Sequence, residues 1–198
     1  MSGPPGRSAA RRQRLLELLR ERSYERKRVV LASGRESDFF IDCKQTALTA
    51  EGHALIGELM LAALADFPEC RAVAGVELGG CPLASAVSLV SHQRGRDLPA
   101  LYVRKQRKDH GSARLVEGDR ALEPGLPVVL LEDVITTGGS SLAAVAALGE
   151  VGARVVGVLA LVDRDEGGAD AFSRAGVRMV SLFRRGDFER ATGAPGPA

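Results

Sequence analysis

The chain has 198 residues, of which 45% are hydrophobic and 26% are charged, and its formal net charge is +2. That length suits one compact domain, and the composition excludes a disordered or fibrous chain. So small a net charge argues against nucleic-acid binding unless the basic residues gather on one face. The three cysteines, at positions 43, 70 and 81, contain no Cys-x-x-Cys pair, so they indicate neither a disulfide framework nor a structural zinc site.

The two ends of the chain have the composition of tails. Residues 1–10 contain Gly and Pro where a secretory signal would need an apolar core, and residues 191–198 are mostly small residues and prolines. We expect both segments to be disordered and residues 11–190 to form a single domain. A reducing cytoplasm is the location that the cysteine pattern favours.

The N-terminal part of the domain predicts a cap over the rest. Residues 11–22 place leucines on one helical face and arginines on the other, which predicts an amphipathic helix. Residues 37–42 (SDFFID) are aromatic and β-prone. Thr49 is a suitable N-cap for a second buried helix, which Pro68 ends. We call residues 11–48 the hood.

From residue 71 onward, short apolar runs alternate with helical segments. Apolar runs of this length between helices are typical of buried parallel strands joined by right-handed crossovers. The sequence therefore predicts an α/β fold, with a central, mostly parallel sheet flanked by helices. The predicted strands are 71–77, 99–104, 127–132, 154–162 and 178–183, and the predicted helices between them are 81–94 and 139–150.

Two acids lie at the carboxyl end of the strand at 127–132, and a Thr/Gly/Ser turn follows them. In open α/β sheets, ligands bind at the carboxyl ends of the strands. The turn would aim backbone N–H groups and the positive end of a helix at one point, where a phosphate fits. Glu132 and Asp133 would repel that phosphate, but they can accept hydrogen bonds from sugar hydroxyls. A plain helix cap beside solvated acids is the alternative. We call the turn residues the phosphate loop: Thr136, Thr137, Gly138, Gly139 and Ser140.

This segment resembles the signature of type I phosphoribosyltransferases, which bind 5-phosphoribosyl-1-diphosphate (PRPP). The resemblance implies that Glu132 and Asp133 hold the ribose hydroxyls and that the phosphate loop holds the 5-phosphate. Val134 and Ile135 complete the implied PRPP-binding segment. The signature does not identify the base.

A basic loop at residues 104–111 lies between two predicted strands. It carries four basic residues and one acid, a net charge of +3 with His110 neutral. A solvated loop or a nucleic-acid patch is the ordinary reading of such a run. Beside a phosphoribosyl site, it instead suggests a mobile lid whose cations stabilise a departing diphosphate and exclude water.

The spacing Arg-Lys-x-x-Lys-x-His-Gly in this loop is similar to that of the catalytic loop of orotate phosphoribosyltransferases. The resemblance implies that Arg104, Lys105, Lys108 and His110 contact the diphosphate, and that Lys108 neutralises or protonates the leaving group. It also implies a homodimer, because in this family the loop crosses to the active site of the neighbouring subunit.

Three further stretches match the same family. Ser33-Gly34-Arg35 followed by Phe39-Phe40 resembles the orotate-binding stretch, although the aromatic pair can equally be a hydrophobic plug beneath the hood. Arg164 matches the arginine that pairs with the orotate carboxylate, and Thr136 also falls in the implied orotate site.

The third stretch, Glu77-Leu78-Gly79-Gly80, aligns with the diphosphate loop, so Leu78, Gly79 and Gly80 are implied PRPP contacts. A strained or cis peptide is expected at Glu77–Leu78. The chain departs from the family at two positions. Ala32 and Leu78-Gly79 stand where many bacterial members have a lysine and a Tyr-Lys pair.

The resemblance implies Mg²⁺-dependent transfer of ribose 5-phosphate from PRPP to N1 of orotate, in pyrimidine synthesis, with Mg²⁺ held mainly through PRPP and no dedicated protein metal site. Three alternatives stay open. One is a phosphoribosyltransferase for another base, against which the basic loop and Arg164 stand. Another is a PRPP-sensing regulator that binds nucleic acid. That would need an added DNA-binding domain or a broad basic face, and about 30 residues before the core are too few for a winged helix. The third is a non-catalytic relative, because the family's cations are missing at Ala32 and Gly79.

Overall fold

The structure is a computed structural model that describes residues 5–30, 36–106 and 115–189. The helices are α1 (Pro5–Arg22), α2 (Lys44–Ala47), α3 (Ala50–Ala63), α4 (Gly80–Gln93), α5 (Gly139–Glu150), α6 (Gly168–Arg174) and α7 (Arg185–Glu189). The strands are β1 (Tyr24–Val30), β2 (Glu36–Ile41), β3 (Ala72–Val76), β4 (Ala100–Val103), β5 (Val116–Glu117), β6 (Pro127–Ile135), β7 (Arg154–Asp163) and β8 (Met179–Arg184).

Six strands form the central sheet, in the order β5-β4-β3-β6-β7-β8. All neighbouring pairs are parallel except β4 and β5, which form an antiparallel hairpin. From β3 the chain runs outward to β4 on one side, then returns to place β6 on the other side and continues to β8. The strand order therefore reverses between β3 and β6, where ligands bind in open α/β sheets. The predicted α/β fold is confirmed.

Side chains of the central strands alternate between two cores, because successive strand residues point to opposite faces. In β6, Val129 and Leu131 belong to a core shared with α1, α3 and α4. Val128 and Leu130 belong to the opposite core, which α5 and the α6 residue Phe172 cover. The sheet is thus buried on both faces, and polar groups reach solvent at the strand ends.

An aromatic cluster fastens the hood to the C-terminal end of the described chain. Tyr24 of β1 and Phe39 of β2 lie 5.0 Å apart between ring centres, and each lies 5.6 Å from Phe188 of α7. Beside this cluster, Arg185 pairs with Asp38 at 2.5 Å. The β1–β2 hairpin is therefore held against β8 and α7, at the same edge of the sheet as the predicted phosphate loop.

Several elements differ from the sequence prediction. Helix α1 begins at Pro5, six residues before the predicted start and inside the segment expected to be a disordered tail. Strand β1 was not predicted, because its run of charged residues has no apolar alternation. The short elements α2, β5, α6 and α7 were also missed. The other tail residues lie outside the described chain. Within the described residues, no helix combines the length and apolar character that crossing a membrane needs.

Replacing Phe188 with alanine should lower the free energy of unfolding by about 3–5 kcal/mol, because it empties the centre of the aromatic cluster. Urea denaturation measures this. Phe40→Ala is the matched control: it removes the same ring from a half-buried position, so the loss should be less than half as large. Equal losses in the two variants would contradict the role assigned to the cluster.

Candidate active site

Three loops meet at the carboxyl edge of the sheet, following the adjacent strands β3, β6 and β7. The strand ends are held together by backbone hydrogen bonds, such as that from Arg164 N to Ile135 O at 3.0 Å. The sequence-predicted diphosphate loop, phosphate loop and Arg164 follow β3, β6 and β7 in that order. The fold therefore brings together segments far apart in the chain.

The phosphate loop forms the tight turn that leads into α5. Gly138 is the N-cap residue, with φ of 81°, a left-handed conformation that glycine adopts without strain. A Cβ there would also press on the ring of Phe172. The first N–H groups of a helix have no acceptor within the helix, and in α5 they belong to Gly139 and Ser140, which are both exposed. This geometry suits an anion.

Glu132 is almost completely buried, at 5% exposure. Strand β6 continues to Ile135, three residues beyond its predicted end at Glu132, so both acids lie within the strand. Ser141 Oγ, in the first turn of α5, donates a hydrogen bond to Glu132 Oε1 at 2.5 Å. Burial raises the pKa of Glu132 to about 7. The Ser141 hydrogen bond opposes this rise, Asp133 adds to it, and Lys105 opposes it.

Asp133 points to the other side of the strand, as alternation requires. Its carboxylate packs so tightly on Gly79 that any Cβ at that position would overlap it. Burial raises the pKa of Asp133, while a backbone hydrogen bond from Val134 and the positive charge of Lys44 oppose the rise. The two acids thus flank the end of β6, one facing α5 and the other facing the diphosphate loop.

The diphosphate loop, residues 77–80, joins β3 to α4. The peptide bond between Glu77 and Leu78 is cis, which confirms the sequence prediction. Leu78 is 69% exposed, and Gly80 begins α4 so close to β3 that a Cβ on Gly75 would overlap its carbonyl group. The loop therefore presents backbone to the site, with little room for side chains at its glycines.

The described start of the basic loop, residues 104–106, follows β4. Glu77 Oε1 accepts a hydrogen bond from the backbone N–H of Lys105 at 2.6 Å, and Arg104 lies 3.5 Å from Glu117. These contacts fix the base of the loop beside the diphosphate loop. Lys108 and His110 lie outside the described residues.

Arg164 is buried at the end of β7, at 8% exposure. Its Nη2 donates to the carbonyl oxygen of Phe39 at 2.7 Å and lies 2.9 Å from Glu166 Oε1. The Phe39 ring is 1% exposed and belongs to the core, as the hydrophobic-plug alternative requires. Phe40 is half-buried, with Lys27 Nζ 3.9 Å from its ring centre. Residues 33–35 lie outside the described chain.

Three polar residues of this edge were not identified from the sequence. Ser141 sits just beyond the phosphate loop, and its bond to Glu132 required knowing where α5 begins. Glu77 was noted only for its peptide bond, although its side chain anchors Lys105. Lys44 lies in the unpredicted α2, with Nζ 2.6 Å from Asp42. The sequence offered one signal for Lys44: it closely follows the predicted strand 37–42.

Comparison with known proteins identifies the family. Residues 45–181, more than half of the chain, match the phosphoribosyl transferase domain. The orotate phosphoribosyltransferase of Sorangium cellulosum is 71% identical over 180 residues, covering 91% of this chain and 94% of that protein. That of Thermosynechococcus vestitus is 48% identical over 178 residues, covering 90% and 93%.

The Mycobacterium tuberculosis orotate phosphoribosyltransferase, solved in complex with PRPP, superposes with a TM-score of 0.73 at 38% identity, over 90% of this chain and 99% of that one. Sequence and structure agree along almost the whole chain, which therefore belongs to the orotate phosphoribosyltransferase family of the type I phosphoribosyltransferases.

Proposed function

We propose that this enzyme, a pentosyltransferase, transfers ribose 5-phosphate from PRPP to N1 of orotate, giving orotidine 5-phosphate and diphosphate in pyrimidine synthesis. One observation supports the proposal most strongly. The start of α5, which suits an anion, lies beside the carboxylates of Glu132 and Asp133, at the place where the strand order of the sheet reverses. The chain's family membership supports the same reaction.

PRPP is bound in three parts. The phosphate loop takes the 5-phosphate through backbone N–H groups and hydroxyls. Glu132 and Asp133 accept hydrogen bonds from the ribose hydroxyls, and the backbone of Leu78, Gly79 and Gly80 faces the diphosphate. Val134 and Ile135 hold the strand end in register with β7.

The packing of Gly79 accounts for one departure from the family pattern. Where many bacterial relatives have a lysine, a side chain here would overlap the Asp133 carboxylate. The site instead uses backbone donors, and Lys44 supplies positive charge from the hood side, where it already acts on Asp133. Binding of the diphosphate then depends more heavily on the basic loop.

The basic loop supplies the catalytic groups. Arg104, Lys105, Lys108 and His110 stabilise the departing diphosphate, with Lys108 closest in role to a general acid. As the glycosidic bond breaks, the ribose gains oxocarbenium character and negative charge builds on the diphosphate. Positioned cations therefore stabilise the transition state more than the ground state. We propose that each loop serves the active site of the partner subunit in a homodimer.

Orotate lies between the hood and the end of β7. Arg164 pairs with its carboxylate, a geometry that suits a planar guanidinium. The Phe39 carbonyl and Glu166 hold that guanidinium in place. Phe40 is the ring available beside the pyrimidine, since the ring of Phe39 is committed to the core. Thr136 faces the same space from the phosphate loop.

Magnesium is expected to enter with PRPP, bound through the sugar hydroxyls and diphosphate oxygens with water completing its octahedron. It would neutralise diphosphate charge. The carboxylates of Glu132 and Asp133 fit such a substrate, because they offset the positive charge that the ion brings.

A cytoplasmic location stays a prediction.

The reaction is tested by incubating the protein with Mg²⁺ and PRPP and with orotate, uracil, adenine or hypoxanthine in turn. We expect the protein to consume orotate alone, and the change in the ultraviolet absorbance of orotate measures this. Consumption of a purine but not orotate would overturn the assignment.

Replacing Arg164 with lysine keeps the positive charge but loses the planar guanidinium. The KM for orotate should therefore rise at least about tenfold, with little change in the KM for PRPP.

Replacing Lys108 with alanine should lower kcat by about 100-fold or more, the scale for losing a positioned charged group. Steady-state rates at saturating substrates measure this. Near-normal turnover would reject the catalytic role.

Mixing Lys108→Ala with Asp133→Asn subunits tests whether the loop crosses between subunits. A mixed dimer then has one intact site and one doubly altered site, so random mixing should restore roughly a quarter of the wild-type activity. If each loop served its own subunit, every site in the mixture would carry one lesion and activity would stay at the level of the variants.

A further inference from the structure

A buried hydrogen bond links α5 to the acid pair of β6. Ser141 Oγ and Glu132 Oε1 are 2.5 Å apart, and the two residues are 2% and 5% exposed. Ser141 does not cap its own helix, because the N-cap position belongs to Gly138. Its hydroxyl turns away from the helix toward the sheet, so the bond serves Glu132 and not the start of α5.

The charges around Glu132 do not by themselves favour its ionised form. Asp133 on the same strand disfavours it, and Lys105, at the end of β4, favours it. From α4, the Cys81 thiol lies within range of this charge: burial and Glu77 raise the pKa of the thiol most, and Glu132 adds to the rise. Burial is the largest influence, and it opposes ionisation. Among the described residues, Ser141 is the one whose side chain donates a hydrogen bond to the Glu132 carboxylate and so stabilises its charged form.

We propose that Ser141 is a positioning residue for PRPP binding: its hydroxyl holds Oε1 of Glu132 and leaves Oε2 to accept a hydrogen bond from a ribose hydroxyl. This proposal rests on the function proposed above. A carboxylate tied at one oxygen has little freedom to rotate, and its second oxygen is aimed before the substrate arrives, which reduces the entropy lost on binding.

The hydrogen bond also affects the charge of Glu132 near neutral pH. A ribose hydroxyl can donate to the ionised carboxylate, whereas a protonated carboxyl group loses part of its accepting capacity. With a pKa of about 7, Glu132 is partly protonated at neutral pH in the free enzyme. Removing the Ser141 hydroxyl removes an interaction that favours the charged form, so the pKa must rise further. PRPP binding should weaken at neutral pH and recover as the pH is raised.

The test compares Ser141→Ala and Ser141→Thr with the wild type from about pH 6 to about pH 9.5, a range that spans the Glu132 titration. At neutral pH the alanine variant should raise the KM for PRPP about tenfold or more, the scale for losing a hydrogen bond to a charged group. The acid limb of its kcat/KM profile should move to higher pH. Its KM for orotate should not change. Threonine, which keeps the hydroxyl, should restore both properties.

A purely structural role for Ser141 predicts a different result. Activity would then fall by the same factor at every pH, the KM values for both substrates would rise together, and the acid limb would stay in place. That outcome overturns the proposal. Ser173→Ala, a hydroxyl removed from an exposed position of α6, is the matched control and should change nothing. If Ser141→Ala fails to fold, Ser141→Cys keeps a side chain of similar shape that donates only weakly, and it should show the same pH shift.

Calorimetric titration of PRPP into each variant, with Mg²⁺ and no base, separates this proposal from the reaction assignment. If the wild type binds PRPP but does not consume orotate, the assigned reaction fails, while the Ser141 effect on binding can still be measured. If the wild type consumes orotate and Ser141→Ala binds PRPP normally at every pH, the positioning role fails alone.

Discussion

The site depends on one electrostatic constraint: two carboxylates, Glu132 buried and Asp133 half-buried, lie at the place where we propose that a highly anionic substrate binds. Burial raises the pKa of both Glu132 and Asp133, so each needs local donors or cations to remain an acceptor. Ser141 and Lys105 act on Glu132, and Lys44 acts on Asp133. Because the acids point to opposite sides of β6, these donors and cations come from three different elements: α5, the basic loop and the hood.

The same edge is shaped by close backbone packing. Asp133 fills the space that a side chain at Gly79 would need, and Phe172 lies where a side chain at Gly138 would project. At these two glycines, the diphosphate and phosphate loops therefore offer backbone N–H groups and no side chain. Such donors are fixed by the fold before the substrate binds, which lowers the entropy lost on binding. We expect the cationic contacts to the substrate to be concentrated in the basic loop.

The sequence predicted the α/β fold and the location of the phosphate loop, because apolar strand runs and Gly-rich turns carry strong local signals. It could not predict the partners of Ser141 or Lys44, since these depend on where α5 begins and on how α2 packs near β6. Strand β1 was missed because its residues are highly charged, and only pairing with β2 makes it a strand. For Phe39 the sequence allowed two interpretations, an aromatic ring beside orotate or a hydrophobic plug. The structure buries the ring against Tyr24 and Phe188, so it belongs to the core.

A crystal structure of the protein with PRPP and Mg²⁺ tests the central claim most directly. The account predicts the 5-phosphate in the turn of residues 136–140 and the ribose hydroxyls on Glu132 and Asp133, with Ser141 still bound to the other oxygen of Glu132. PRPP bound at a different edge of the sheet, or its ribose turned away from both acids, would contradict the account.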